Sequence, residues 1–213
     1  MMNRRIWAAT AAAWLALSAG LPVTALAAEE TPDALVKRLS ADVLDTIRND
    51  KTLKTGDVAR IGALVDKTVM PHVNFQRMTS AAVGPQWRQA SPEQKQRLQA
   101  EFKALLIRTY AGALSQVSDQ TVVVKPMRAA AGDKDVLVRT EVRGKGDPIQ
   151  LDYRLEKTAD GDWKIYNLNV LGVWLVETYR NQFSQEINAR GIDGLIETLA
   201  TRSKMPATPP SKG

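Results

Sequence analysis

Apolar residues recur every three or four positions between residues 32 and 115, which is the spacing of amphipathic helices. This spacing predicts four helices, each with its own start or stop signal. The first begins at Thr31-Pro32 and runs to about Arg48, and the second ends at Pro71. The third covers about 74–83, and the fourth runs from a capping box at 91–94 to about Ser115.

The pattern becomes alternating after residue 120. Apolar and polar side chains alternate in segments near 122–124, 136–143, 149–156 and 163–170, and Asp160-Gly161 is typical of a hairpin turn. Short links between these segments predict a four-stranded antiparallel meander. Helical spacing returns after Gly172, with a stop at Gly191 and a short last helix capped by Asp193. The order predicts an α+β fold with helices over one face of the sheet.

The two ends of the chain differ from this pattern. Residues 1–27 combine Arg4 and Arg5, an apolar run and Ala25-Leu26-Ala27, which predicts a signal peptide cleaved after Ala27. An uncleaved anchor is the alternative, but the run is shorter than the roughly 20 apolar residues of a membrane span. We therefore expect a single domain over 28–202. The proline-containing segment 203–213 is predicted to be a disordered tail.

Composition removes several classes of chemistry. The chain has no cysteine and one histidine, so disulfides, thiol nucleophiles and thiolate metal sites are excluded, and we expect neither metal nor cofactor. Removing residues 1–27 takes away two arginines and no acidic residue, which lowers the net charge from +6 to +4. Export argues against nucleic acid as a partner. Mild basicity instead favours solubility with some attraction to anionic membrane surfaces or acidic partners.

Candidate catalytic residues are few. No nucleophile elbow, phosphate loop, dinucleotide fingerprint or zincin helix occurs in the sequence. His72 could act as a base only with partners that the sequence does not place, and a capping or packing role is favoured. Asp152 and Glu141 alternate with apolar residues, so they are expected on a solvated sheet face.

Apolar side chains form the larger candidate set. The sheet offers an inward row at Val122, Val124, Val138, Leu151, Tyr153 and Leu155, and the helices add further apolar and aromatic residues. This set forms either a packed core, which periodicity alone favours, or the lining of a ligand cavity between layers. The candidate lining residues are Phe75, Met78, Phe102, Leu106, Tyr110, Val138, Leu151, Tyr153, Tyr166, Val173, Trp174, Tyr179 and Phe183.

Several short motifs together resemble the MlaC family of periplasmic phospholipid carriers, also called toluene-tolerance proteins. They are 71–78 (PHVNFQRM), Trp87-Arg88 with the capping box, 105–110 (LLIRTY), 163–167 (WKIYN) with Gly172-Val173, and 179–183 (YRNQF). The likeness extends from about Pro32 to Leu199. Members commonly carry Asp where this chain has Asn74 and Asn167.

The resemblance implies an NTF2-like fold that encloses a pocket for phospholipid acyl chains. It also implies two partners, an outer-membrane lipoprotein-porin complex and an inner-membrane MCE-protein and ABC-transporter complex, and no catalysis by this chain. A soluble shuttle of this kind is expected to be a monomer in the periplasm. Two alternatives stay open: an exported NTF2-like isomerase or hydratase, and a carrier for lipidated proteins.

Overall fold

The computed structural model describes residues 29–127, 130 and 132–205. The predicted signal peptide and most of the predicted tail lie outside these residues. Within them, no helix is both long and apolar enough to cross a bilayer.

Four α-helices precede the sheet: α1 (Pro32–Asn49), α2 (Val58–Leu64), α3 (Phe75–Val83) and α4 (Pro92–Ser115). The predicted capping box is confirmed, because the Ser91 hydroxyl accepts from the Gln94 amide (3.1 Å) while the Gln94 side chain accepts from the Ser91 amide (3.0 Å). Asn74 caps α3 by accepting from the Arg77 amide at 2.9 Å. The starts of α3 and α4 therefore follow from their capping residues, whereas the Thr31 side chain makes no capping hydrogen bond at the start of α1.

The predicted second helix is wrong in its second half. α2 ends at Leu64, and a π-helical turn (Val65–Val69) and a 3-10 turn (Met70–His72) continue to the point where Pro71 was expected to end the helix. Widened and tightened turns of this kind depend on tertiary packing, and the sequence pattern does not distinguish them from α-helix.

The sheet consists of five antiparallel strands in chain order: β1 (Thr121–Val124), β2 (Asp135–Arg143), β3 (Ile149–Lys157), β4 (Trp163–Val170) and β5 (Val173–Trp174). The prediction of a meander is confirmed, but the count of four is wrong by one. β5 has only two residues, which is too short to show alternation, and sequence analysis assigned Val173 to the following helix.

A β-bulge interrupts the pairing of β3 and β4. Arg154 pairs with Asn167, but the next residue, Leu155, pairs with Ile165, so Tyr166 has no partner on β3. At the same place Val73 forms a parallel bridge with Ile165, and the Asn74 amide donates to the Ile165 carbonyl (2.8 Å). The bulge therefore lies where the N-terminus of α3 joins the sheet.

The last helix, α5 (Leu175–Arg202), is kinked at Gly191, which has φ 71° and ψ −174°. The predicted stop at Gly191 thus separates two helical segments of one element. Asp193 accepts a hydrogen bond from the Gln94 side chain at 2.8 Å, so it links α5 to the start of α4.

Three apolar clusters form the core. The largest joins α3, α4 and α5, the second joins α1 to β2, β3 and β4, and the third joins α1, α2 and α4. Val73 packs against the first two clusters, and Val43 packs against the second and third. The second cluster therefore connects the other two.

The opposite sheet face is not simply solvated, as was expected from its polar residues. Asp152 is only 4% exposed, and its carboxylate accepts from the Thr140 amide (3.3 Å) and the Gln150 side chain (2.6 Å). Asn167 and Asn169 are also buried there. The expectation is wrong for Asp152 because a backbone amide of β2 and a neighbouring side chain satisfy its buried oxygens.

Candidate ligand-binding face

The strand register places one continuous row of apolar residues on the helix-facing side of the sheet, which we call the inner face. Val138 lies opposite Tyr153 and Thr140 opposite Leu151, while Leu168 and Val170 of β4 continue the same rows. Pairing with β2 adds Val122 and Val124 to this face. The predicted inward row of the sheet is therefore one surface in the structure.

Burial changes steadily along the inner face. On β3, Leu155 is fully buried, Tyr153 and Leu151 are half-buried, and Ile149 is 43% exposed. The same gradient follows β4, from buried Ile165 to half-buried Leu168 and Val170. A filled core would bury the middle of this face uniformly. The inner face instead opens toward the end of the sheet at which β3 begins and β4 ends.

Two half-buried residues of α4 belong to the same candidate site. Leu106 and Tyr110 pack against the α3–α4–α5 cluster, and Leu168 and Val170 of the sheet pack against the same cluster. They are one turn apart, so they present one side of α4. Leu106, Tyr110, Leu151 and Tyr153 are predicted lining residues that are half-buried in the structure.

The other predicted aromatic residues form solid core. The Phe102 ring lies 5.7 Å from Phe75, 4.9 Å from Tyr179 and 5.2 Å from Phe183 between centroids. These rings and Met78 are buried within the α3–α4–α5 cluster. They support the helices behind Leu106 and Tyr110, and fully buried Val138 does the same at the closed end of the sheet.

Tyr166, Val173 and Trp174 lie away from the middle of the inner face. Tyr166 is at the bulge, where its hydroxyl donates to Asp135 (2.8 Å) and the Arg77 guanidinium stacks 3.5 Å from its ring centroid. The Trp174 ring lies 4.3 Å from the Arg154 guanidinium on the other side of the sheet. Val173 is 52% exposed at the open end. Sequence reasoning missed the bulge and therefore the side of Tyr166.

The two tyrosines of the candidate site, Tyr110 on α4 and Tyr153 on the inner face, are uncharged at neutral pH. Burial raises the pKa of Tyr110 to about 12, and burial likewise raises the pKa of Tyr153 to about 12 against the opposing effect of the Ser40 and Thr140 hydroxyls. A phenol that stays protonated can donate a hydrogen bond without adding charge to an apolar surface.

The structure also has two surface depressions with largely polar lining, and His72 lies in one of them. His72 lines a hollow of about 190 Å³ with Glu30, Asp162 and Lys164, and burial together with Arg38 and Lys164 lowers its pKa. A larger depression of about 610 Å³ is lined by Asp42, Asp45, Asp50 and other polar residues. Both are suited to water and ions and poorly suited to hydrocarbon.

Sequence reasoning also missed residues that the structure adds to the site. Leu168 and Val170 extend the inner face, and Ile149 and Leu171 lie at its open end. The alternation of β4 was visible, but its apolar residues appeared on both faces because the bulge was not. No local signal distinguished the closed end of the sheet from the open one.

A half-open apolar face beneath helices in an α+β architecture has the mostly apolar lining that is typical of ligand sites. Comparison with known proteins identifies the particular family. The model of the family described as MlaC protein matches residues 37–201, and the chain belongs to this family.

Two named relatives are similar to this chain over most of its length. The chain is 28% identical to the toluene tolerance protein ttg2D of Pseudomonas putida, with 84% of this chain and 83% of the relative covered. It is 24% identical to the intermembrane phospholipid transport system binding protein MlaC of Haemophilus influenzae, with 89% and 90% covered.

A solved structure is also similar to this chain. It is the phospholipid-binding protein of Ralstonia solanacearum in complex with a phospholipid, 48% identical, with a TM-score of 0.78. The alignment covers 83% of this chain and 97% of that protein. The similarity therefore includes almost the whole of the lipid-bound relative.

Proposed function

We propose that this protein is a periplasmic phospholipid carrier that shelters acyl chains on its inner face. The observation that carries the proposal is the burial gradient, in which a continuous apolar surface closes at Leu155 and opens at Ile149. The phospholipid bound to the 48% identical relative supports the same ligand class. The export predicted from residues 1–27 supports the compartment.

Within this proposal, the acyl chains lie against Leu151, Tyr153, Leu106 and Tyr110, and the aromatic cluster around Phe102 forms the rigid support. The headgroup stays near solvent at the open end. The NTF2-like arrangement implied by the family resemblance is part of the same proposal, since it describes a sheet curved around such a pocket.

The low solubility of phospholipids in water explains why such a carrier is needed. A diacyl lipid with about 30 chain methylenes at ~0.8 kcal/mol each gains roughly 24 kcal/mol on leaving water, beyond the practical ceiling of noncovalent affinity. The relevant comparison is therefore between the protein and a bilayer, which are both apolar. Aliphatic side chains suit this task because they provide dispersion contacts without directional demands.

We further propose that the carrier exchanges lipid between an outer-membrane lipoprotein-porin complex and an inner-membrane MCE-protein and ABC-transporter complex. The family membership supports these partners. The proposal assigns no catalysis to this chain. In support, His72 lies in a polar hollow with Glu30 and Lys164, and the inner face offers apolar groups and neutral phenols.

Native mass spectrometry of protein purified from the periplasm, followed by lipid extraction, tests the proposal. We expect copurified phospholipid and reloading of delipidated protein from phospholipid vesicles. Absence of both would refute the carrier function. Copurified lipoprotein in place of free phospholipid would support the lipidated-protein alternative, and turnover lost on His72→Ala would support the enzyme alternative.

A further inference from the structure

Three of the exposed large apolar side chains lie at the open end of the sheet. Ile149 begins β3, Leu171 is in the β4–β5 turn and Val173 begins β5, and they are 43%, 55% and 52% exposed. The Leu171 amide donates to the Gln150 carbonyl at 3.0 Å, so the turn is next to Ile149. We call these three residues the lip.

Leu171 is exposed and also conformationally unfavourable. Val170 pairs with Val173, so Leu171 and Gly172 form a two-residue hairpin turn, and both have positive φ (52° and 88°). Turns of this kind favour Asn-Gly, because a Cβ atom clashes with the following carbonyl oxygen in the left-handed region, which Gly avoids and Asn tolerates. Leu171 is the one non-glycine residue with positive φ in the described part of the chain.

The surrounding structure holds this turn in place. The buried Asn169 side chain accepts from the Gly172 amide at 2.8 Å, and Gln150 holds the Leu171 amide. Strain that neighbouring residues maintain is typical of functional positions. An exposed leucine at a strained position suggests that the side chain itself is required.

The lip is continuous with the inner face. Ile149 shares its side of β3 with Leu151 and Tyr153, and Val173 pairs with Val170, so the apolar rows run without interruption from the protein interior to the surface. The lip is wholly aliphatic. It lacks the Trp, Tyr and Arg residues that dominate protein–protein hot spots.

We infer that the lip is the portal through which phospholipid acyl chains leave and enter the inner face. The inference rests on the proposed carrier function and adds the place of exchange. Leu171 and its two neighbours provide apolar contact for methylenes that would otherwise meet water while a chain is halfway out, so they lower the barrier to transfer.

Leu171→Asn tests the inference, because asparagine suits the turn and removes the apolar side chain. We expect the variant to melt about 2–4 °C higher than the parent through relief of strain. We also expect its transfer of a fluorescent phospholipid between vesicles of phosphatidylethanolamine and phosphatidylglycerol to slow by on the order of tenfold. Val173→Thr, which keeps the strand and its shape, should slow transfer in the same direction.

Met205→Asn is the matched control, since Met205 is as exposed as Leu171 (55%) and lies three residues after the end of α5. It should transfer lipid at the parent rate. If both lip variants transfer lipid at the parent rate, the portal is overturned. Transfer by the parent protein would still support the carrier function in that case. A parent protein that neither binds nor transfers lipid would overturn both. If the lip variants transfer lipid slowly only when a membrane protein complex is added, the lip is a protein-docking surface, and the portal is again overturned.

Discussion

Two asparagine side chains each form hydrogen bonds both to a helix N-terminus and to a glutamate side chain. Asn167 is 1% exposed; its oxygen accepts from the Val176 amide (3.2 Å) and its nitrogen donates to Glu177 (2.8 Å). Asn74 makes the corresponding pair with the Arg77 amide (2.9 Å) and Glu156 (2.7 Å). An aspartate at either position would keep the cap but could not donate to the glutamate.

We expect Asn167→Asp to destabilise the fold by about 1–3 kcal/mol, because it replaces a hydrogen bond with two adjacent carboxylates. Urea denaturation at neutral pH measures the loss. Adding Glu177→Gln should restore most of the stability, because glutamine can donate to the new carboxylate. A double variant as unstable as the single one would contradict this account.

The half-buried tyrosines make the stability of the protein sensitive to alkali. Burial raises the pKa of Tyr153 from 10.0 to about 12, so the unfolded chain loses the phenol proton at lower pH than the folded one. Stability from this residue is therefore retained below pH 10.0 and lost as the pH rises toward 12. Tyr153→Phe should lose less stability over this interval in denaturant titrations; an equal loss would contradict the assignment.

At the scale of elements, local signals determine the helix ends and tertiary contacts determine the irregularities. The capping box at Ser91 and the cap at Asn74 were predictable because each is a local hydrogen-bond pattern. The π-helical turn at Val65–Val69 and the bulge at Tyr166 were not predictable, because each depends on packing between separate segments. β5 was not predictable because two residues are too few to show alternation.

Two glycines in helices should respond oppositely to alanine. Gly112 lies exposed in α4 with free space for a Cβ atom, so Gly112→Ala should stabilise the protein by up to about 1 kcal/mol. Gly191 also has free space, but its backbone conformation is one that only glycine adopts readily, and Gly191→Ala should cost about 1–3 kcal/mol. Thermal denaturation of both variants compares them; a stabilising Gly191→Ala would show that the kink is not required.

At the scale of the whole molecule, the core is divided into three clusters. Leu106 and Tyr110 pack against the α3–α4–α5 cluster, and Tyr153 packs against the cluster that joins α1 to β2, β3 and β4. Sequence periodicity identified these side chains as inward but could not separate lining from filling. Both kinds of residue show the same alternation, and only the packing of distant helices determines which remain accessible.

This distinction predicts different outcomes for two similar substitutions. Leu106→Trp should fill half-open space and lower the amount of bound phospholipid, with the melting temperature nearly unchanged. Val138→Trp overpacks a fully buried position and should destabilise the fold by about 1–3 kcal/mol or more. Lipid content and melting temperature of both variants test this; full loading of Leu106→Trp would place the acyl chains elsewhere.

The covered outer edge of β4 has a consequence for behaviour at high concentration. β5 pairs with one end of this edge, and the Val73–Ile165 bridge covers the other, so little backbone there is free to pair with a second molecule. Exposed strand edges are common starting points for aggregation. Short blocking segments of this kind would let a protein without disulfides stay dispersed even with an aliphatic patch on its surface.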